Sequence, residues 1–291
     1  MTRCVLAATA IIITFSWNSY ADEALSEKLL KADPARLARD ARQKGDAQRG
    51  ALVFYKSAAA CIKCHSAGKE PSPLGPNLAD IGKDVTDEHI VESILRPSKV
   101  IGDKYQNTVV YLNSGKVLSG LFVEDRADAI VLFDTTDLKR SVISKDNIDE
   151  MEKSKKSLMP AGLAATLNNR REFLDLVRYV IEVSDHGPER AAQLKPPAEQ
   201  LIVVDDSKNL DHAGILKSLG KADFEAGKRF YLGHCKNCHG VDGNTPTLPT
   251  ARAFGNQKLK FGADPYKMFM TLTTGNGLMT PMKHLSPKER Y

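Results

Sequence analysis

The 291-residue sequence is poor in aromatic side chains, at 7% with a single tryptophan, and poor in cysteine, with five. It also has no long apolar run beyond its first 21 residues. Each scarcity excludes something. Without further runs approaching the ~20 apolar residues that a membrane helix needs, a multi-span membrane fold is ruled out. Four of the five cysteines fall in two CxxC pairs, Cys61 with Cys64 and Cys235 with Cys238, each followed at once by a histidine, and this is not the pattern of a disulfide scaffold. Aromatic rings usually carry a large share of core burial, so something other than aromatic side chains is expected to fill part of this interior. What is present, 42% apolar and 26% charged residues with a net charge of +5, describes a globular chain long enough for two modest cores, not a disordered one.

Residues 1–21 carry Arg3, an apolar stretch from Val5 to Phe15 and the small-residue ending Ser19-Tyr20-Ala21, which predicts a cleaved secretory signal and a periplasmic or secreted protein. An uncleaved anchor would need a longer apolar run. Cleavage after Ala21 removes Arg3, Cys4 and Trp17, lowers the charge to +4, and leaves every remaining cysteine inside a CxxCH. Residues 22–44, with Leu29, Leu30, Leu37 and Ala38 set among charges, predict a helical arm interrupted by Pro34.

A weak internal repeat follows. Asp46-Ala47-Gln48-Arg49-Gly50, then Phe54, leads to Cys61-Ile62-Lys63-Cys64-His65. Asp223-Phe224-Glu225-Ala226-Gly227, then Tyr231, leads to Cys235-Lys236-Asn237-Cys238-His239. Two modules are expected, at residues 45–186 and 221–291, each opened by a helix with an Asp N-cap and a glycine that lets another helix cross closely. Residues 187–220, with Pro196-Pro197 and Asp205-Asp206 and no sustained period, predict a linker. Inside the first module, Tyr105–Leu112, Lys116–Val123, Ala129–Phe133 and Arg140–Ile143 predict a small antiparallel sheet of about four strands inserted at about 105–148. A closing helix is expected from Arg170 to Val183. The chain ends at Tyr291 where a further helix would be getting under way, so the second module is expected to be incomplete.

A CxxCH places two thiols on one helical turn, where they can add to the two vinyl groups of a haem, and presents the next histidine to the iron. Three rival chemistries exist. A zinc site from both pairs would have to join ligands far apart in sequence and would leave His65 and His239 unexplained. A thioredoxin-like dithiol wants a βαβ context that neither pair has, and a disulfide within CxxC is strained. For the opposite face of the first iron the chain offers Met151, Met159, His89 and His186. Met159, in Ser157-Leu158-Met159-Pro160-Ala161-Gly162, is the best placed, and Met151 among acidic residues is expected to be solvated. For the second, Met279 is first choice and Met282 second, both in Gly277-Leu278-Met279-Thr280-Pro281-Met282. Met268 and Met270 are expected in a core, and His284 is the imidazole alternative.

These motifs resemble class I cytochromes c. The first module, through Cys61 to His65, Leu74-Gly75-Pro76-Asn77-Leu78, Glu92-Ser93-Ile94-Leu95-Arg96-Pro97, the Ser114 to Gly120 stretch and Ser157 to Leu163, looks like the planctomycete/verrucomicrobial-type haem-binding domain, over about residues 45–184. The second resembles a generic mono-haem cytochrome c domain from about Ala222. The resemblance implies a mainly α fold of two cytochrome c-type helical domains, the first with the β insertion, holding two covalently bound haem c groups. It implies that the Pro76 carbonyl orients His65 and that Leu78 packs on the ring. The second module lacks a clear Gly-Pro-x-Leu, for which Pro246 or Pro249 is the candidate substitute. Arg252 is a candidate partner for a haem propionate, and Lys153, Lys155 and Lys156 are a candidate docking patch for an acidic redox partner.

The expected function is single-electron transfer between periplasmic redox proteins, from a dehydrogenase donor to an oxidase or another cytochrome. The iron ligands would be His65 with Met159 and His239 with Met279, leaving no open position. The alternatives are a dihaem peroxidase-like enzyme with one open site, and a redox-sensing or interaction module. Haem propionates would roughly cancel the mature charge of +4, so the basic balance points to local patches and not to nucleic acid.

Overall fold

The computed structural model describes residues 25–291 except 57, 58, 73, 83, 136, 137, 202–206, 208, 249 and 250; the expected signal sequence and Pro249 lie outside the described residues. Among the described residues no helix is long and apolar enough to cross a membrane. The arm consists of α1 (Leu25–Lys31) and α2 (Pro34–Lys44). Pro34 divides them because it sits where its missing N–H is not needed, while Asp33 accepts the Ala35 N–H at 3.2 Å. The arm is not peripheral: Leu29, Leu37 and Ala41 are buried in the main helical core. Asp40 clamps it from α2, accepting from Lys44 and Arg170 at 2.6 Å each.

The centre of that core is the crossing of α3 (Ala47–Lys56) over α5 (Arg170–Leu194). Gly50 lies at the crossing, and a Cβ there would stand 1.9 Å from the Asp175 carbonyl oxygen. The buried Asp175 carboxylate locks the pair, accepting from the Asp46 N–H at 2.7 Å and from Arg49 Nε and Nη2 at 2.7 and 2.9 Å. Asp46 is the N-cap of α3, accepting the Arg49 N–H at 2.9 Å. Phe54 packs on Tyr179 beside it. Between the first motif and the sheet runs α4 (Asp87–Leu95), capped by Thr86.

The sheet has five antiparallel strands where about four were expected: β1 (Asn107–Leu112), β2 (Val117–Asp125), β3 (Ala129–Asp134), β4 (Arg140–Ser144) and β5 (Ile148–Lys153), in the order β4-β3-β2-β1-β5. The extra strand is Ile148-Asp149-Glu150-Met151-Glu152-Lys153, whose charges disguise it in the sequence. It is an edge strand, where charge discourages pairing with other chains. The insertion therefore runs on to residue 153. It has its own small core of Val110, Leu118, Ile130, Leu132 and Ile143, with Leu112 and Ile148 packed against it. Its two ends are neighbours, since the Ser154 N–H donates to the Asn107 carbonyl at 2.8 Å.

The described residues between 187 and 220 include helical turns. The closing helix α5 bends at Gly187, whose φ of 76° only glycine adopts readily, and continues past Pro188 so that Ala191 and Leu194 join the main core. Short helices α6 (Ala198–Leu201) and α7 (His212–Ser218) follow. His212 of α7 fits among Tyr266, Phe269 and Tyr291 and bonds the Tyr291 hydroxyl at 2.6 Å. That segment is part of the C-terminal packing.

In the C-terminal part, α8 (Lys221–Phe230), a π-helical turn at Tyr231–Cys235 and α9 (Lys236–His239) form one helical run. Asp223 is not its N-cap. It stands three residues inside, accepting the Gly220 N–H at 2.9 Å. Gly227, the repeat partner of Gly50, has nothing within 4 Å of a would-be Cβ, so the close crossing expected for both glycines occurs only at the first. The last long element is α10 (Pro265–Thr274), capped by Asp264.

Candidate functional site

The first motif sits on a short 3-10 turn, Cys61–Lys63, entered through Ala60 in the left-handed region at φ 49°. The turn delivers His65 into a cavity of about 350 Å³, within the usual range for small-molecule sites. His65, Cys61, Cys64, Leu78 and Met159 all line it. His65 Nδ1 lies 3.0 Å from the Pro76 carbonyl oxygen. A carbonyl only accepts, so Nδ1 carries the proton and Nε2 keeps its lone pair for a metal. Burial pushes the imidazole below its ordinary value and keeps it neutral, which ligation requires. Gly75 makes this geometry possible, because a Cβ there would stand 2.9 Å from both His65 Cε1 and the Cys64 carbonyl.

The Met159 loop is tied down at two points. The Ser157 N–H donates to Ser98 Oγ and the Met159 N–H to Ser157 Oγ, both at 3.1 Å. The structure separates the four distal candidates clearly. Met159 and His89 line the cavity, His89 with its Nε2 3.4 Å from Ser93 Oγ. His186 faces Glu182 instead, and Met151 is exposed on β5.

The second motif lies on α9. His239 Nδ1 is 3.1 Å from the Arg252 carbonyl, and its ring stacks on Phe254 at 4.6 Å. Sequence reasoning sought this carbonyl at Pro246 or Pro249 and valued Arg252 for its guanidinium. The Arg252 backbone, not its exposed side chain, reaches the histidine. The relation to the first site is regular: Pro76 and Leu78, Arg252 and Phe254, are each an orienting carbonyl followed two residues later by an apolar side chain. Beyond His239, Gly240 turns at φ 79°, a Cβ there would stand 2.0 Å from the Thr245 carbonyl, and Tyr231 donates to the Gly240 carbonyl at 2.7 Å.

Met279 sits in a tight loop in which it exchanges backbone hydrogen bonds with Asn276. Met282 is fixed by its N–H donating to the Leu272 carbonyl at 2.7 Å. Met268, expected in a core, is exposed on α10, and Met270 is half-buried. His284 sits near the Phe230 ring, its imidazole pushed down by burial.

All four motif thiols are pushed up by burial, Cys61 to about 12 and Cys235 to about 11. Protonated thiols are poor redox nucleophiles. Among the described residues no three His, Cys, Asp or Glu side chains converge into a metal-holding set, so the two CxxC pairs do not build a zinc site together. Paired thiols, a histidine with a free Nε2 and a methionine on one apolar cavity are instead the donor set that a covalently attached haem requires, and the first cavity fits it.

Several contacts were invisible to sequence reasoning because they join distant parts of the chain. His234 Nε2 lies 3.1 Å from the Ala165 carbonyl, and Lys63 Nζ donates to the Met279 carbonyl at 3.4 Å. Lys156, exposed with Lys153 and Lys155, donates to the Thr247 carbonyl at 3.3 Å. Leu278 completes the lining of the first cavity.

Residues 222–291 match the family model described as cytochrome C oxidase, cbb3-type, subunit III. No curated protein matches the chain. The C-terminal part is thus a cytochrome c domain, which implies covalently bound haem c and fits haem-based electron transfer.

Proposed function

We propose that the chain is an extracytoplasmic dihaem c-type cytochrome, built as two cytochrome c domains, that carries single electrons between redox proteins. The observation that supports this best is the repeated second layer around the histidines: in each CxxCH the Nδ1 meets a backbone carbonyl from a turn downstream, Pro76 at 3.0 Å and Arg252 at 3.1 Å. Such a partner fixes the tautomer and aims Nε2 at an iron. Cys61 and Cys64 would hold the first haem and Cys235 and Cys238 the second, with His65 and Met159, His239 and Met279 as axial ligands.

The chemistry supplied by each bound haem is a one-electron change at iron. The protein's part is to hold two axial donors, exclude water from the apolar cavity and set the potential, which methionine raises relative to a second histidine. Phe254 stacks on His239, Leu78 lines the first cavity with His65, and the Ser98–Ser157 bond keeps Met159 in reach. With both axial positions filled, no place remains for a substrate, which favours a carrier over a peroxidase-like enzyme. The family name attached to residues 222–291 speaks of an oxidase, in keeping with an oxidase or another cytochrome as acceptor and a dehydrogenase as donor.

The test combines intact mass with optical spectra. We expect a mass increment of two haems and a c-type α-band on reduction. In the oxidised protein we expect the weak long-wavelength band of an iron–methionine bond, reduced in Met159→Ala. One haem by mass, or no such band, would overturn the dihaem or the methionine part respectively.

A further inference from the structure

Lys63 and Asn237 hold the same position, the second residue between the cysteines of the first and second motifs. Each touches the opposite site. Lys63 Nζ reaches the carbonyl of Met279, the candidate ligand of the second site. The Asn237 amide lies against Gly162 in the Met159 loop, where a Cβ would stand 2.3 Å from its Nδ2. A chance contact between two domains would pair unrelated surfaces. Here each cysteine loop meets the other site's methionine loop, so the arrangement is reciprocal.

Further contacts reinforce it. His234, immediately before Cys235, bonds the Ala165 carbonyl, next to Ala164 in the first cavity's wall. Leu278, immediately before Met279, belongs to that wall itself. Lys156, three residues before Met159, bonds Thr247, whose hydroxyl in turn bonds the Asn237 carbonyl.

Resting on the dihaem reading, we infer that the two cysteine loops and two methionine loops form a built-in electron-exchange contact between the sites. The loops that would hold the covalent edges of both haems meet each other through Lys63 and Asn237, while Ile62 and Lys236 face solvent. With haem bound at both sites, an electron taken from a one-electron donor protein at one site would pass to the other across this contact, the first site being oxidised as the second is reduced, with no bond made or broken. External partners then use surfaces away from the contact, one at each end of the chain's electron path.

The test uses the full-length holoprotein with Lys63→Glu and Asn237→Arg, neither of which is an iron ligand. A haem ring current displaces the methyl resonance of an axial methionine far upfield, so each site carries its own reporter in the reduced protein. Lys63→Glu is expected to shift the methionine methyl of the second site, and Asn237→Arg that of the first. Intact mass is read on the same samples. Two haems with each substitution shifting only its own site's methyl would overturn the contact while leaving the dihaem reading standing. One haem would overturn both.

Discussion

Gly50 and Gly227 occupy the same place in the repeat and have opposite surroundings. Alanine at 50 would press its methyl into the Asp175 backbone. Such overpacking typically costs about 1–3 kcal/mol, so Gly50→Ala should lower the melting temperature clearly. Alanine at 227 meets open space inside a helix. It should stabilise the C-terminal part by up to about 1 kcal/mol through helix propensity. Thermal unfolding of the two variants checks both signs. Asp40 offers a pH test. Hydrogen bonds from Lys44, the larger influence, and from Arg170 hold its carboxyl at about 2, below the ordinary 3.8. A depressed acid contributes stability above its unfolded value, and that contribution is lost as pH falls toward the folded one. The loss therefore falls between about pH 4 and 2. In an acid titration followed by circular dichroism, Asp40→Asn should show a shallower decline over that window.

At the level of elements, the sheet is an annexe with its own core, entered and left at adjacent residues. The Met159 loop is anchored to Ser98, outside the sheet. Replacing residues 108–153 with a short Gly-Ser link should therefore leave haem attachment and the iron–methionine band in place. Loss of that band in the deletion, while the mass still shows both haems, would show that the sheet itself holds the loop. Ser98→Ala should weaken the band with the sheet intact, because the Ser157 N–H loses its acceptor. The elements also show what sequence could and could not reveal. The closing helix and four strands were legible because Phe173 to Ile181 follows a 3.6 period and Ala129 to Phe133 is a short run of mostly β-branched and aromatic residues. β5 was not, because an edge strand needs few apolar residues, and neither was the helical continuation past Gly187-Pro188, where Ala191 and Leu194 are ordered by tertiary packing.

For the whole molecule, the cysteine motifs could be read directly, Cys61 to His65 and Cys235 to His239, whereas the Pro76 carbonyl eleven residues beyond His65 came only through the family resemblance. The Arg252 carbonyl could not, because any residue supplies a carbonyl and only the backbone path selects which one arrives. The contacts of Lys63, His234 and Asn237 were hidden for a related reason. They depend on how distant segments meet, and no local pattern encodes that.

The spacing of the proposed ligands also carries a consequence for assembly. His65 and Met159 are 94 positions apart with the entire sheet between them, whereas His239 and Met279 are 40 apart with one helix between. Pairings distant along the chain form late, because the loop they close must first be organised. During synthesis and folding, the second site can complete its ligand pair almost locally. The first would wait, with His65 in place and Met159 not yet beside it, until α5 has crossed α3 and the loop is tied to Ser98. On the dihaem reading, a haem at the first site would have one axial position open to small diatomic gases and peroxide in that interval, so the first site is the one that oxidative damage would mark in immature protein.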